Sequence, residues 1–386
     1  MTALPVQLSV RTIDAATHLA FVRAQRSASF LQTPGWAAVK SEWRAESLGW
    51  FRAGEEAPAG VALVLHRSLP KIGRTLAYLP EGPVIDWDDA DLGAWLTPLA
   101  AHLKAGGAFG IRIGPPVVTR RWTAAVVKEG IADEAVTTLT ALAPSERSTT
   151  GARVVSQLRE LGWVTQSVAG GFAAGQPQFN FQIPLRTADG EPRSEEDVLA
   201  GMNQLWRRNI KKAAKAGLEV TSVGADATPA DIAAFHSLYA ETATRDHFTP
   251  RPLAYFTTMV RALGAEDPDR VRLYFGRHEG DLVAATLLIR VGGHVWYSYG
   301  ASSSAKREVR GSNAVQWQMI RDALAAGADV YDLRGITDTL ASDDAHVGLI
   351  QFKVGTGGEA VEYAGEWDLP LNRLLYKAFD TYMKRR

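Results

Sequence analysis

Two stretches of this chain are written to one plan. Residues 103–115, "LKAGGAFGIRIGP", and residues 324–336, "LAAGADVYDLRGI", each bring a helix to a glycine and pass into an apolar strand that closes on glycine or proline. Their surroundings repeat in the same order. In the first half the apolar-rich helical stretch "SFLQTPGWAAVKSEW" leads to strand-like "GVALVLHRSLP" and to "RTLAYLPEGPVI". The helix "DADLGAWLTPLAAHLKAGG" follows, with Leu92, Leu96, Leu99 and Leu103 at spacings of three and four. In the second half a helix in "PRPLAYFTTMVRAL", two strands around a Gly-Gly turn in "RLYFGRHEGDLVAATLLIRVGGHVWYSYG", and a helix in "SNAVQWQMIRDALAAG" precede the closing strand. Units of more than about 100 residues present twice do not make a solenoid, which needs several short repeats. The pattern predicts a mixed α/β (α+β) chain of two fused lobes, and a length of 386 residues fits two domains.

Composition narrows the chemistry. Lys plus Arg and Asp plus Glu stand at 42 each, so any recognition of phosphate or nucleic acid has to come from a local patch. The absence of cysteine excludes a disulfide scaffold, a thiolate metal site and a cysteine nucleophile. The start, "MTALPVQLSVRTIDAATHLA", lacks a basic segment followed by an apolar run, and no run of 18 uncharged apolar residues occurs. The expectation is a cytoplasmic protein without a membrane span.

Between the halves, "TADGEPRSEEDVLAGM" approaches a helix with Ser194 as N-cap and Glu195, Glu196 and Asp197 in its first turn, and the helix is expected to continue through "NQLWRRNIKKAAKAG" to Gly217. Arg208, Lys211, Lys212 and Lys215 then share one face, with Arg207 at its edge. A solvated surface is the plain alternative. The lack of acidic partners four positions on within that helical stretch favours a ligand that carries phosphate.

The segments "LQTPGWAAVK", "WRRNIKKAAKAGLEV", "YDLRGI" and "GLIQFKVGTGGEAVEYAGEWDLP", in this order and at these separations, resemble the Fem-type (FemABX) peptidoglycan aminoacyltransferases across nearly the whole chain. The resemblance implies two GNAT-like acyltransferase lobes, placed here at residues 1–155 with about 365–386 (precursor-binding) and at 156–364 (aminoacyl-tRNA side). It implies transfer of an amino acid from aminoacyl-tRNA to an amine on the stem peptide of a peptidoglycan precursor, lipid-linked or nucleotide-linked, with no metal and no redox cofactor. Peripheral contact with the inner membrane face would suit such an acceptor. Only about 25 residues separate the start of "AGLEV" from "ETATRDHF", too few for a long helical arm at 1.5 Å per residue.

The same resemblance implies roles for individual residues. Lys40 and Arg207 fall at positions that hold the phosphate-linked end of the precursor, in keeping with bidentate guanidinium and compact ammonium chemistry. Trp36, Arg208, Tyr299 and Arg334 join them as substrate-binding candidates, and Lys211, Lys212 and Lys215 as the tRNA surface. Phe352 and Lys353 match the family's Phe-Lys pair. The resemblance implies that Lys353 faces the charged aminoacyl-tRNA end or the reacting carbonyl; on a strand the phenylalanine would pack inward while the lysine points into a cleft, and Gly355, Gly357 and Gly358 would let a ligand approach the backbone. A hairpin carrying one exposed lysine is the plain alternative. Asp332 and Arg334, two apart on a strand, would share a face, with Asp332 in a structural role. One departure stands out: "IRIGPP" puts Gly114 where relatives often carry aspartate, so a general base at that position is absent. Three rivals remain: an acyl-CoA-dependent N-acyltransferase, for which "REVRGSNAVQW" offers a single glycine at Gly311; a tRNA-dependent transferase of natural-product assembly; and a non-catalytic RNA-binding protein.

Overall fold

The computed structural model describes residues 8–69, 72–166, 175–344 and 346–384. The chain divides into two compact units, one built from residues 1–120, 146–178 and 362–386, the other from 121–145 and 179–361. This division assigns 121–145 to the second unit and 156–178 to the first, the reverse of what the sequence pattern suggests. The strands Val118–Thr123 and Glu359–Tyr363 carry the chain from one unit to the other.

In the first unit the sheet runs in the order Leu8–Thr12, Arg44–Arg52, Gly60–Ser68, Thr75–Leu79, Ala108–Ile113, Trp367–Pro370 and Val164–Thr165. Thr75–Leu79 and Ala108–Ile113 are parallel, joined by the helix Leu92–Ala105, and every other pairing is antiparallel. That helix starts where the Asp91 side chain accepts from Ala94 N, and it buries Leu92, Trp95, Leu96, Leu99 and Leu103, the stripe legible in the sequence. Trp50, Val64, Ile111 and Trp367 complete the core against it. The expected helix in "SFLQTPGWAAVKSEW" is instead a 3₁₀ turn at Phe30–Gln32 and a single turn at Trp36–Val39, because Pro34 interrupts the backbone pattern between them.

Within the second unit the order is Glu219–Val223, Val271–His278, Asp281–Val291, His294–Ser302, Val330–Ile336, Phe179–Pro184, Glu359–Tyr363 and Val118–Thr123. The helix Gly311–Ala325 links His294–Ser302 to its parallel neighbour Val330–Ile336, the same crossover that the first unit uses. Three strands occupy the stretch read as two, since Glu279-Gly280 makes a tight turn with both residues at positive φ. The expected continuous helix from Glu195 to Gly217 is two helices, Glu195–Gly201 and Gln204–Lys215. Ser194 caps the first through a capping box; Met202 then turns extended, and the Asn203 side chain caps the second by accepting from Trp206 N at 2.9 Å.

Candidate functional site

Lys353 lies in the second unit on a short helix, Val347–Val354, and not on a strand. The placement reverses the expected orientation: Lys353 is 4% exposed, while Phe352 is half-buried. Its Nζ donates to two successive main-chain carbonyls, Gly335 O at 2.7 Å and Arg334 O at 3.2 Å. Burial pulls the ammonium down to about 7, against the attraction of Asp332 and with the repulsion of Arg334. A lysine so held changes its charge within the physiological range.

Those carbonyls are aimed by an irregularity in the strand Val330–Ile336. Arg334 takes a left-handed backbone conformation (φ 62°), uncommon for a residue with a Cβ. The Asp332 carboxylate accepts from Arg334 N at 2.6 Å, as aspartate does in turns, and the strand's pairing shifts register between Asp332 and Gly335. Asp332 and Arg334 therefore do not share a face. Asp332 is 1% exposed; its other oxygen accepts from Gln182 Nε2 at 2.9 Å and pairs with His294 Nε2 at 3.1 Å. Burial opposes its ionisation, but the hydrogen bond and charge of His294, the charge of Arg334 and the Gln182 bond prevail, and its pKa lies below the usual value. His294 in turn stacks flat on Trp296, ring centroids 4.0 Å apart.

The glycines after Lys353 receive protein, not ligand. A Cβ on Gly357 would stand 2.0 Å from Gly201 O, one on Gly358 2.1 Å from Gln182 O, and one on Gly355 2.4 Å from the Trp206 ring. Trp206 is the hub of this docking: its ring packs on Phe352 at 4.8 Å and its Nε1 donates to Phe352 O at 2.8 Å, while Asn203 N donates to Gly355 O. The basic helix and the Lys353 helix are thereby fixed to each other. On the basic helix, Arg208, Lys211, Lys212 and Lys215 are exposed, with no ion-pair partner among the described residues. Arg207 behaves differently: its Nη1 donates to Ala200 O (2.9 Å) and Met202 O (2.7 Å), closing the end of the preceding helix. Tyr299 is half-buried among Tyr239, Tyr255 and Phe256, its hydroxyl 3.2 Å from that of Tyr255.

In the first unit, Trp36 is a core residue, 4% exposed and edge-on to Phe30. Lys40 caps its short helix, half-buried, with Nζ 3.9 Å from Glu42 and 5.9 Å from the Trp36 ring. At Gly114 a Cβ would meet Glu81 N at 3.1 Å and Glu366 Cγ at 3.8 Å. Sequence reasoning missed Glu366, although its segment "GEWDLP" belongs to the family-like stretch. Its carboxylate accepts from Tyr78 OH at 2.5 Å and Gln176 N at 3.2 Å, with Arg112 4.0 Å away. Burial nonetheless raises its pKa, with Asp368 adding to the effect. Asp368 itself, fully buried, forms a bidentate pair with Arg112 at 2.7 and 2.8 Å.

The repeated sheet-and-crossover plan defines a tandem GNAT-like acyltransferase fold. The solved structure of FemX superposes with a TM-score of 0.77 over 96% of this chain and 99% of its own, at 22% identity. A tandem GNAT protein from the clavulanic acid biosynthesis pathway aligns at 0.50 over 95% of this chain and 99% of its own, with 11% identity. The chain belongs to the FemAB family, which it matches over residues 13–267 and 276–384, and with that family it is a transferase. Among its relatives, the UDP-N-acetylmuramoylpentapeptide-lysine N(6)-alanyltransferase of Weissella viridescens is 28% identical over 92% of this chain and 93% of its own. The lipid II:glycine glycyltransferase of Staphylococcus aureus (strain USA300) is 23% identical over 95% and 94%. No helix among the described residues is long and apolar enough to cross a membrane.

Proposed function

We propose that this protein transfers an amino acid from aminoacyl-tRNA to an amine of the stem peptide of a peptidoglycan precursor, building an interpeptide bridge. The amine nitrogen attacks the ester carbonyl, an amide forms, the ester C–O bond breaks, and the proton lost by the amine is returned to the departing ribose oxygen. Such aminolysis needs orientation and stabilisation of the developing oxyanion more than it needs strong base. The observation that carries the reading is Lys353: an ammonium already stripped of water and anchored at one end acts as a strong electrostatic partner for that oxyanion. Within the first unit, Glu366, with its raised pKa beside Gly114, is the carboxyl suited to hold a proton.

The relatives support the acceptor class, since their names specify a muramoylpentapeptide lysine and lipid II. The exposed cations of the basic helix support an RNA donor, while Arg207, committed to carbonyls, serves the helix junction first. Against acyl-CoA stands Gly311: a Cβ there would lie 2.9 Å from Val283, so the one glycine of that turn is needed for packing on the sheet. Lys40 stays as the proposed phosphate contact of the first unit, and a peripheral approach to the membrane face follows if the acceptor is lipid-linked.

The deciding experiment incubates the purified protein with mixed aminoacyl-tRNAs and each precursor form, reading added residue mass by mass spectrometry. A residue-mass gain that ribonuclease pretreatment abolishes is the expected result. A product that forms after ribonuclease treatment and requires acyl-CoA overturns the choice of donor.

A further inference from the structure

We propose that Asp332 is the positioning residue for Lys353: its carboxylate, pinned by Gln182 and His294, holds the left-handed turn at Arg334 that presents two main-chain carbonyls to the lysine amine. The proposal rests on the reading that Lys353 carries the chemistry, and it is built from five linked contacts. One carboxylate oxygen takes the Arg334 N–H at 2.6 Å; the other is fixed by Gln182 at 2.9 Å and His294 at 3.1 Å; the turn so made aims Arg334 O and Gly335 O; these receive Nζ at 3.2 and 2.7 Å. A neutral acceptor would satisfy the turn equally well. The charge at this position has a different consequence, because Asp332 is the anion that offsets the desolvation of Lys353.

The other charged groups near Lys353 leave that role to Asp332. Arg334 opposes the ammonium. On the helix Ala124–Ala132, which packs against the Lys353 helix, Lys128 and Glu129 are exposed to solvent. On the helix Gln204–Lys215, Arg207 is bound to carbonyls, and at the head of the Lys353 helix His346 pairs with Asp344. Removing the Asp332 charge while keeping its shape should therefore lower the pH at which Lys353 loses its proton, without dissolving the turn.

The test compares wild type with Asp332→Asn, in which the amide oxygen still accepts from Arg334 N–H. Two readouts are taken: the pH profile of single-turnover transfer, and the titration of Lys353 in protein carrying ¹³Cε-labelled lysine, assigned by its absence from Lys353→Met. The expected result is that the Lys353 titration and the alkaline limb of transfer both move to lower pH by at least about one unit, a tenfold change in the protonation equilibrium. Transfer at pH 7.5 then falls about tenfold and recovers on acidification, a pattern that a merely structural defect does not produce. If Asp332→Asn fails to fold, Asp332→Ser supplies a neutral acceptor in its place. An unmoved Lys353 titration in a folded neutral variant overturns the role of the Asp332 charge, and wild-type titration and transfer in Asp332→Ala, which removes the acceptor of the Arg334 N–H, overturn the positioning role. If the wild-type protein transfers nothing, yet the Lys353 titration still shifts in Asp332→Asn, the functional reading is overturned and the positioning role stands.

Discussion

Lys353 is costly to the fold, and the cost sets a prediction. Its folded pKa of about 7 lies below its unfolded value near 10.5, so between those limits the unfolded chain binds more protons, and stability rises with pH. Below about pH 7 the full penalty applies, on the order of 5 kcal/mol at 1.36 kcal/mol per pKa unit. Lys353→Met removes that penalty and leaves two carbonyls unmet, at roughly 1–3 kcal/mol each. We expect the stability of the variant relative to wild type to be greatest at pH 6 and to fall by several kcal/mol by pH 10, and transfer to be about a hundredfold slower. Scanning calorimetry at the two pH values, with single-turnover rates, checks these outcomes; a stability difference that does not change between the two pH values contradicts the assigned burial cost. Lys353 was singled out in the sequence by its motif, but its surroundings were not legible there. The carbonyls that hold it belong to residues 334 and 335, and their direction depends on one left-handed φ that no periodicity encodes. Glu366 escaped for a similar reason, since its raised pKa comes from burial, against the opposing pull of Tyr78 and Arg112, which are remote in sequence.

At the scale of elements, the error over residues 347–354 is instructive. "VGLIQFKV" is a short apolar run, and such runs fit a buried strand and a buried helix equally well. Tertiary context decided, through Trp206 closing the last turn at Phe352 O. The glycine run was read as a place where a ligand approaches the backbone; what approaches there is the protein's own chain. Gly358→Ala must displace Gln182 O, in the strand that also carries the Gln182 side chain to Asp332, and we expect a loss of about 3 kcal/mol or more, read from urea midpoints. The basic face, by contrast, was legible outright, because 3.6-residue periodicity places Arg208, Lys211, Lys212 and Lys215 together whether or not the helix breaks at Met202. Lys211→Glu with Lys215→Glu should leave the melting temperature within a degree or two and weaken aminoacyl-tRNA binding at least tenfold. The salt dependence of binding should become shallower by about one unit of slope for each phosphate no longer neutralised. Unchanged affinity across a salt titration would make this face solvated surface only.

For the whole molecule, the duplication was the strongest signal in the sequence, and both crossovers, Leu92–Ala105 and Gly311–Ala325, stand where the repeated pattern put them. The division of the chain was harder to read, because the first unit is assembled from three separate segments. Its sheet is completed by Trp367–Pro370, which lies between Ala108–Ile113 and Val164–Thr165 and supplies Trp367 to the core and Asp368 to Arg112. Truncation after Val361 should therefore unfold a unit whose other segments all lie upstream: limited proteolysis is expected to cut within residues 8–120 of the shortened chain and to spare them in the intact one. Arg112 and Asp368 are 256 residues apart, and that separation has a consequence for biosynthesis. At roughly 5–20 residues per second, a ribosome needs on the order of ten seconds or more to make the stretch between them. During that interval the edge of Ala108–Ile113 awaits its partner, with its main-chain donors and acceptors open to any strand that arrives first. Neither sheet can close early: the first waits for Trp367–Pro370, and the second for Glu359–Tyr363, which lies between Phe179–Pro184 and Val118–Thr123.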